Sequence, residues 1–172
     1  LAFDLDAGGL ASAPIVLNFN EQTLIAIATM PLLNGSDLIF TTSLQSLGVT
    51  CWLRTPAGQM SILQQLLPNN MSAGYDVQAL ELIARADGAL LLTTSAQSNA
   101  LNVFQIAADG QARFVATLGA AEGLGINGPN LLQAVQMGGK DYLLVGAANS
   151  GSIVVVEVGP VGNLTVIDQV ND

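Results

Sequence analysis

The sequence predicts an all-β protein, and three features lead to this fold class. Similar segments recur every 52 residues without a gap. Each segment contains four apolar stretches of strand length, separated by glycine, proline, asparagine and serine. Apart from a turn near residues 63–67, no stretch shows the 3.6-residue spacing of apolar side chains that indicates an amphipathic helix. Short strands joined by tight turns are therefore expected along the whole chain.

The repeat can be followed residue by residue. Gly58, Gly110 and Gly162 lie 52 residues apart, and each stands in a turn. The same shift aligns two strand-length stretches in every copy, namely 37–43 with 89–95 and 141–147, and 49–53 with 101–105 and 153–157. A fixed period of this length is typical of folds built from stacked repeats.

Each repeat is predicted to contain four antiparallel strands. In the third copy the predicted strands are 130–137, 141–147, 152–158 and 163–170, with glycine-containing turns between them. The second strand is nearly continuously apolar in every copy, which predicts burial on both of its faces. The third and fourth strands alternate better between apolar and polar residues, which predicts a position nearer solvent.

A four-stranded antiparallel unit of about 50 residues, repeated in tandem, is typical of a β-propeller blade. One small twisted sheet cannot cover its own faces until neighbouring sheets stack on it. Blades are predicted at 17–68, 69–120 and 121–172, and residues 1–16 as the outer strands of a preceding blade, all in one propeller domain. Because about three and a half blades cannot close a ring of about 4 to 8, other blades or other chains are expected to complete it.

The composition excludes several classes of function. The chain has 172 residues, of which 51% are hydrophobic, with four Lys or Arg, thirteen Asp or Glu and no histidine. Four cations cannot neutralise the roughly 6 to 10 phosphates of a typical nucleic-acid site, so no nucleic-acid partner is expected. No apolar run reaches about 18 residues, so no membrane insertion is expected. Without histidine there is no Ser-His-Asp triad, and Cys51, the one cysteine, is predicted to be a buried structural thiol.

The longest irregular loops join the fourth strand of one blade to the first strand of the next, at 68–76 and 119–130. Long ordered loops are more often functional than short ones. The candidate binding residues on them are Asn69, Asn70, Tyr75, Glu122, Asn127 and Asn130. Amide and hydroxyl groups suit hydrogen bonds to a neutral ligand, such as a carbohydrate or the backbone of a protein. Turn geometry alone also explains asparagine and glycine in these loops.

No catalytic residue is singled out by the sequence. Polar turns recur between the second and third strands, at 45–46, 97–99 and 149–152, and blade building explains them as well as a ligand does. Asp37, Asp87 and Asp141 lie near the start of the second strand. Calcium needs about 6 to 8 converging oxygens, which one carboxylate per blade supplies only near the propeller axis. Solvated turn acids are the expected role, calcium is the alternative, and no other cofactor is expected.

Residues 141–158, Asp-Tyr-Leu-Leu-Val-Gly-Ala-Ala-Asn-Ser-Gly-Ser-Ile-Val-Val-Val-Glu-Val, followed by the Gly-Asn-Leu-Thr-Val-Ile-Asp pattern that starts at 162, resemble the lactonase-like β-propellers. They are most similar to propeller segments of large secreted hemolysin-type (RTX) calcium-binding bacterial proteins. The resemblance implies a propeller fold and a secreted or cell-surface setting. Enzymes of these families use histidine, arginine or calcium-binding carboxylate clusters, whereas this chain has no histidine and no Gly-Gly-x-Gly-x-Asp repeat.

The function expected from these features is that of a non-enzymatic extracellular propeller module, a scaffold or recognition surface within a larger protein or assembly. The alternative is a lactonase-type hydrolase or a calcium-binding propeller whose active residues lie on blades outside this chain.

Overall fold

The structure is a computed structural model that describes residues 23–43, 48–67 and 76–171. These residues form three sheets of four antiparallel strands, each in chain order. The first sheet contains β1 (Leu24–Pro31), β2 (Asp37–Ser43), β3 (Val49–Arg54) and β4 (Met60–Leu66); the second contains β5 (Val77–Arg85), β6 (Gly88–Ser95), β7 (Ala100–Ala107) and β8 (Ala112–Leu118); the third contains β9 (Pro129–Met137), β10 (Lys140–Ala147), β11 (Ser152–Val158) and β12 (Leu164–Asn171). The predicted half-blade at 1–16 lies outside the described residues.

The all-β fold with propeller blades is confirmed. In the third sheet each strand begins and ends within one residue of its predicted bounds. The turn expected near residues 63–67 is wrong, because this stretch pairs with β3 as part of β4. The helical structure of the described part is a short 3-10 turn at Ala120–Glu122, and no helix there is long and apolar enough to cross a membrane.

The three sheets stack through apolar side chains. We call the face of a blade that points to the following blade its front face and the opposite one its rear face. The front-face core residues, all at most 3% exposed, are Leu38, Phe40, Val49, Cys51 and Leu66 in the first blade and Leu90, Leu92, Leu101, Val103 and Leu118 in the second. The facing rear-face residues are Leu80, Leu91, Phe104 and Ile106 in the second blade and Leu132, Leu143, Val156 and Val158 in the third. Every one of these sets recurs at a spacing of 52 residues.

Burial along the strands depends on which neighbours are present. The second strands β2 and β6 are buried on both faces, as predicted, whereas β10 is buried only on alternate residues. The prediction that the third strand lies nearer solvent is wrong for β7, which is buried along most of its length. Strand β7 lies between two blades that cover both of its faces, and β10 has a blade on its rear face.

The repeated turn glycine has two physical reasons to be glycine. Gly58, Gly110 and Gly162 all have positive φ angles, of 79°, 89° and 89°. A Cβ atom on Gly162 would lie 3.0 Å from the side chain of Val103, and one on Gly110 would lie 3.3 Å from Leu38. Gly58 has nothing within 4 Å. The turn between the third and fourth strands of a blade therefore packs against the front face of the blade before it.

We predict that Gly162→Ala destabilises the chain more than Gly58→Ala. Both substitutions place a Cβ in the left-handed region, which costs about 1–2 kcal/mol. Gly162→Ala also overpacks the interface between the second and third blades, which adds about 1–3 kcal/mol. Urea unfolding followed by the fluorescence of Trp52 measures both changes. Equal losses for the two variants would contradict the packing role of this turn.

The thiol of Cys51 is predicted to be unreactive in the folded chain. It is fully buried on the front face of the first blade, and this burial raises its pKa to about 11. A disulfide reagent at pH 8 should label it only after unfolding in guanidinium. Because the unfolded thiol ionises first, stability should decrease as pH rises above about 9 towards the folded pKa. Rapid labelling of the native chain at pH 8 would contradict this placement.

Candidate interaction surface

The front face of the third blade carries the same apolar pattern as the buried front faces before it. Its five core positions, 52 residues after those of the second blade, are Tyr142, Leu144, Ile153, Val155 and Val170. Ile153 is 53% exposed, whereas the corresponding Leu101 is 0% exposed. Val170 is 63% exposed, whereas Leu118 is 3% exposed. These side chains are apolar, although solvent reaches this face of the third blade.

The first strand of the third blade widens this apolar surface. Leu131, Val135 and Met137 of β9 are large, exposed and on the same face, as their pairing with Gly146, Tyr142 and Lys140 shows. Burying one such side chain contributes about 1.5–3 kcal/mol. Contiguous exposed apolar patches larger than a few hundred Å² mark interaction sites on soluble proteins. We call this surface, made of β9–β12 side chains, the open front face.

Polar contacts between blades accompany the apolar ones. The carboxylate of Glu81 on β5 accepts a hydrogen bond of 3.0 Å from the backbone N–H of Ala134 on β9. The side-chain amide of Gln64 on β4 donates to the carbonyl of Ala112 and accepts from its N–H, at 2.9 Å and 3.2 Å. Side chains of one blade thus satisfy backbone groups at the edge strands of the next blade.

An ionic cleft of about 410 Å³ lies where the turns of the second and third blades meet. Nη1 of Arg85 donates to Asp141 at 2.7 Å, and Nζ of Lys140 lies 3.0 Å from each carboxylate oxygen of Glu157. The hydrogen bond to Glu157 raises the pKa of Lys140. The charges that line the cleft are thus paired with one another.

The acidic residues weighed for calcium have protein partners. Asp37 pairs with Arg54 and Asp141 with Arg85, so their expected role as solvated turn acids is wrong. Each of these carboxylates lies at the start of a second strand, next to a cation that sequence spacing did not reveal. Among the described residues, no group of three or more Cys, Asp or Glu side chains is placed to hold a metal ion.

Glu122 and Asn127 lie on the connection between β8 and β9, whereas Asn130, predicted in the same loop, is the second residue of β9. The Glu122 carboxylate accepts the N–H of Gly119 at 2.8 Å and so caps the 3-10 turn. The backbone N–H of Asn127 donates to the hydroxyl of Ser150 at 3.2 Å, and Asn130 is exposed near the start of β9. Asn69, Asn70 and Tyr75 lie outside the described residues. Ligand binding by these six residues stays a prediction.

The recurring polar turns fasten this connection. The side-chain oxygen of Asn99, in the β6–β7 turn, accepts the N–H of Gly128 at 2.7 Å. Gly128 has a φ of 69°, and a Cβ atom on it would lie 2.5 Å from the side-chain amide of Asn149, so this position favours glycine. These contacts assign a structural role to the described polar turns at 97–99 and 149–152.

The open front face was missed by the sequence reasoning, although a signal for it was present. Positions 142, 144, 153, 155 and 170 follow buried positions of the second blade by one period. Carrying burial forward through the repeat would have identified an uncovered apolar face.

Comparison with known proteins supports the propeller fold. No family model and no curated protein sequence matches the chain. It is similar in structure to a functionally unknown protein from Desulfotomaculum acetoxidans (14% identity, TM-score 0.66, covering 94% of this chain and 45% of that one). It is also similar to a periplasmic gluconolactonase from Pseudomonas aeruginosa (23%, 0.63, covering 83% and 39%). A third similar structure is an exo-β-1,3-galactanase from Phanerochaete chrysosporium with β-1,3-galactotriose (14%, 0.59, covering 99% and 41%). The chain thus spans less than half the length of these proteins.

We predict that the Arg85–Asp141 pair stabilises the blade interface only while both partners are present. Arg85→Leu leaves the mostly buried Asp141 carboxylate without its cation, which should lower the free energy of unfolding by about 1–3 kcal/mol. Adding Asp141→Ala gives this place the Leu and Ala that Leu32 and Ala89 provide in the apolar cluster between the first two blades, and should recover most of the loss.

Urea unfolding of the two variants tests this, with Lys140→Leu as the control at an exposed ion pair, where little change is expected. A double variant that is no more stable than Arg85→Leu would contradict the prediction.

Proposed function

We propose that the chain is a non-enzymatic β-propeller module that serves as a structural scaffold or recognition surface within a larger protein or assembly. The observation that carries this proposal is the open front face. It repeats, in the same register, the apolar pattern of the two interfaces that join the three described blades. A surface of this kind is built for association, and further blades or chains would complete the propeller through it.

The proposed setting is extracellular or at the cell surface. It is supported by the resemblance to propeller segments of secreted RTX proteins and by the similarity to a periplasmic gluconolactonase. A net charge of −9 with four Lys or Arg disfavours binding to nucleic acid or to an anionic membrane surface. A protein, or a carbohydrate recognised by the asparagine-containing loops, is the ligand class that this composition suits.

A hydrolase of lactonase type is the second candidate, and the similarity to the gluconolactonase favours it. The galactanase adds a carbohydrate-active neighbour with the same type of fold. In this case the active residues, or a calcium site, would lie on blades outside this chain, because the described carboxylates Asp37, Asp76 and Asp141 are held by protein donors.

A hydrolysis assay separates the two candidates for the chain itself. We expect no hydrolysis of glucono-δ-lactone or of β-1,3-galacto-oligosaccharides above the uncatalysed rate, with or without millimolar calcium, and no effect of calcium on the melting temperature. Turnover that Asp76→Asn or Glu122→Gln abolishes, while circular dichroism shows an intact fold, would overturn the non-enzymatic proposal. A calcium-dependent rise in melting temperature would support the calcium-binding alternative.

A further inference from the structure

We infer that the open front face is the docking surface for the rear face of a fourth propeller blade with the same 52-residue repeat. The inference rests on the proposed function and names its partner. The evidence is continuity with two interfaces that the chain already contains, in which the same positions are used each time.

The apolar part of the partner follows from these two interfaces. Front-face residues of the second blade pack against Leu132, Leu143, Val156 and Val158 of the third, and those of the first blade pack against Leu80, Leu91, Phe104 and Ile106 of the second. The occupant of the open front face should therefore present large aliphatic or aromatic side chains at these four rear-face positions. A polar or charged partner surface would lose its hydration against Ile153 and Val170 without gaining hydrogen bonds, which costs free energy.

The polar part is equally specific. Gln133 follows Glu81 by 52 residues, and it is exposed on β9. Glu81 accepts the N–H of Ala134 in the first strand of the next blade. The amide oxygen of Gln133 can accept the corresponding N–H of a fourth blade, and it does so without adding a charge. The partner must therefore offer a backbone N–H at the edge of its first strand, as a blade does.

The ionic contact changes in a way that also fits a blade. Met137 stands one period after Arg85, and the neighbouring Lys140 already pairs with Glu157, so no cation takes the place that Arg85 has beside Asp141. Between the first and second blades, Leu32, which bonds to Ser36 across its turn as Arg85 pairs with Gly88, and Ala89 belong to one apolar cluster. The partner should therefore carry a small apolar residue, as at Ala89, and not a carboxylate.

The turn glycine completes the fit. Gly162 lies against Leu90 and Val103 of the preceding front face. One period later these positions are Tyr142 and Val155. A fourth blade would place the glycine of its own turn between third and fourth strands over these two side chains.

A second copy of this chain is the less suitable occupant. The rear face that it offers would be that of the first blade, where Arg54 stands in the place of Ile106 and Val158. That face therefore has a charged side chain at one of the four apolar positions. The similar solved propellers, of which the chain covers 39% to 45%, have room for further blades in one chain.

The test is a four-blade chain in which a second copy of residues 121–172, carrying Asp141→Ala, follows residue 172 of the full chain. Its added blade has the rear face that already docks on the second blade. Ile153→Cys reports on the open front face, and Val161→Cys is the matched control because Val161 is 69% exposed on a turn outside that face. Cys51 is buried and adds little background.

We expect maleimide to label both cysteines rapidly in the 172-residue chain. In the four-blade chain, labelling of Ile153→Cys should slow at least tenfold while Val161→Cys is unchanged. Adding Leu144→Asp to the native third blade should restore fast labelling. Unchanged labelling of Ile153→Cys would overturn the inference. This holds even if the added blade stays unfolded, because nearly the same blade sequence packs on the equivalent front face of the second blade in the native chain.

Sedimentation of the 172-residue chain tests the competing occupant. A dimer that Val170→Asp dissociates and Val161→Asp does not would overturn the fourth blade in favour of a second copy. These outcomes are separate from those of the hydrolysis assay, since lactone turnover would overturn the proposed function and leave the labelling result unaffected.

Discussion

The structure depends on one constraint: a four-stranded sheet of this size has two apolar faces and cannot cover either by itself. Every blade must therefore bury its front face against the rear face of the next one. This explains why the 52-residue spacing holds through the second, third and fourth strands, because an inserted residue in a strand would turn its apolar set to the wrong side. The first strand is offset by one residue between the first two blades, since Ala26 and Ala79 pair with Thr42 and Thr94, and the extra residue lies in a turn. The 51% hydrophobic content follows from the same constraint, since stacked blades bury most strand faces.

The same constraint selects the residues outside the strands. A turn that packs onto a neighbouring front face needs the left-handed backbone and the missing side chain of Gly110 or Gly162. The edge of a neighbouring first strand exposes backbone N–H groups, and Glu81 satisfies one of them. These contacts differ in chemistry from one blade interface to the next, but they occupy the same place. This explains why apolar side chains stand there at one interface and the Arg85–Asp141 pair at the other.

The sequence was most informative where local patterns decide the structure. Turn glycines located the strands of the third repeat to within one residue, because Gly138, Gly139, Gly151 and Gly162 take positive φ angles that few other residues adopt. Burial was harder to predict, because β6 and β10 are second strands at the same place in their blades and differ in whether two blades or one cover them. The partners of Asp37 and Asp141 were missed since cross-strand and cross-blade pairs have no fixed sequence spacing.

The unequal burial of β6 and β10 has a consequence for function. In stacked repeats, stability is approximately the sum of the contribution of each repeat and of the interfaces between neighbours. The second blade has two such interfaces, and the third has one on its rear face. A polar front face would remove the exposed apolar surface, as terminal repeats of solenoids do. The third blade instead has Ile153 and Val170 in the register of buried residues, so its sequence fits a chain whose next interface is still to be formed.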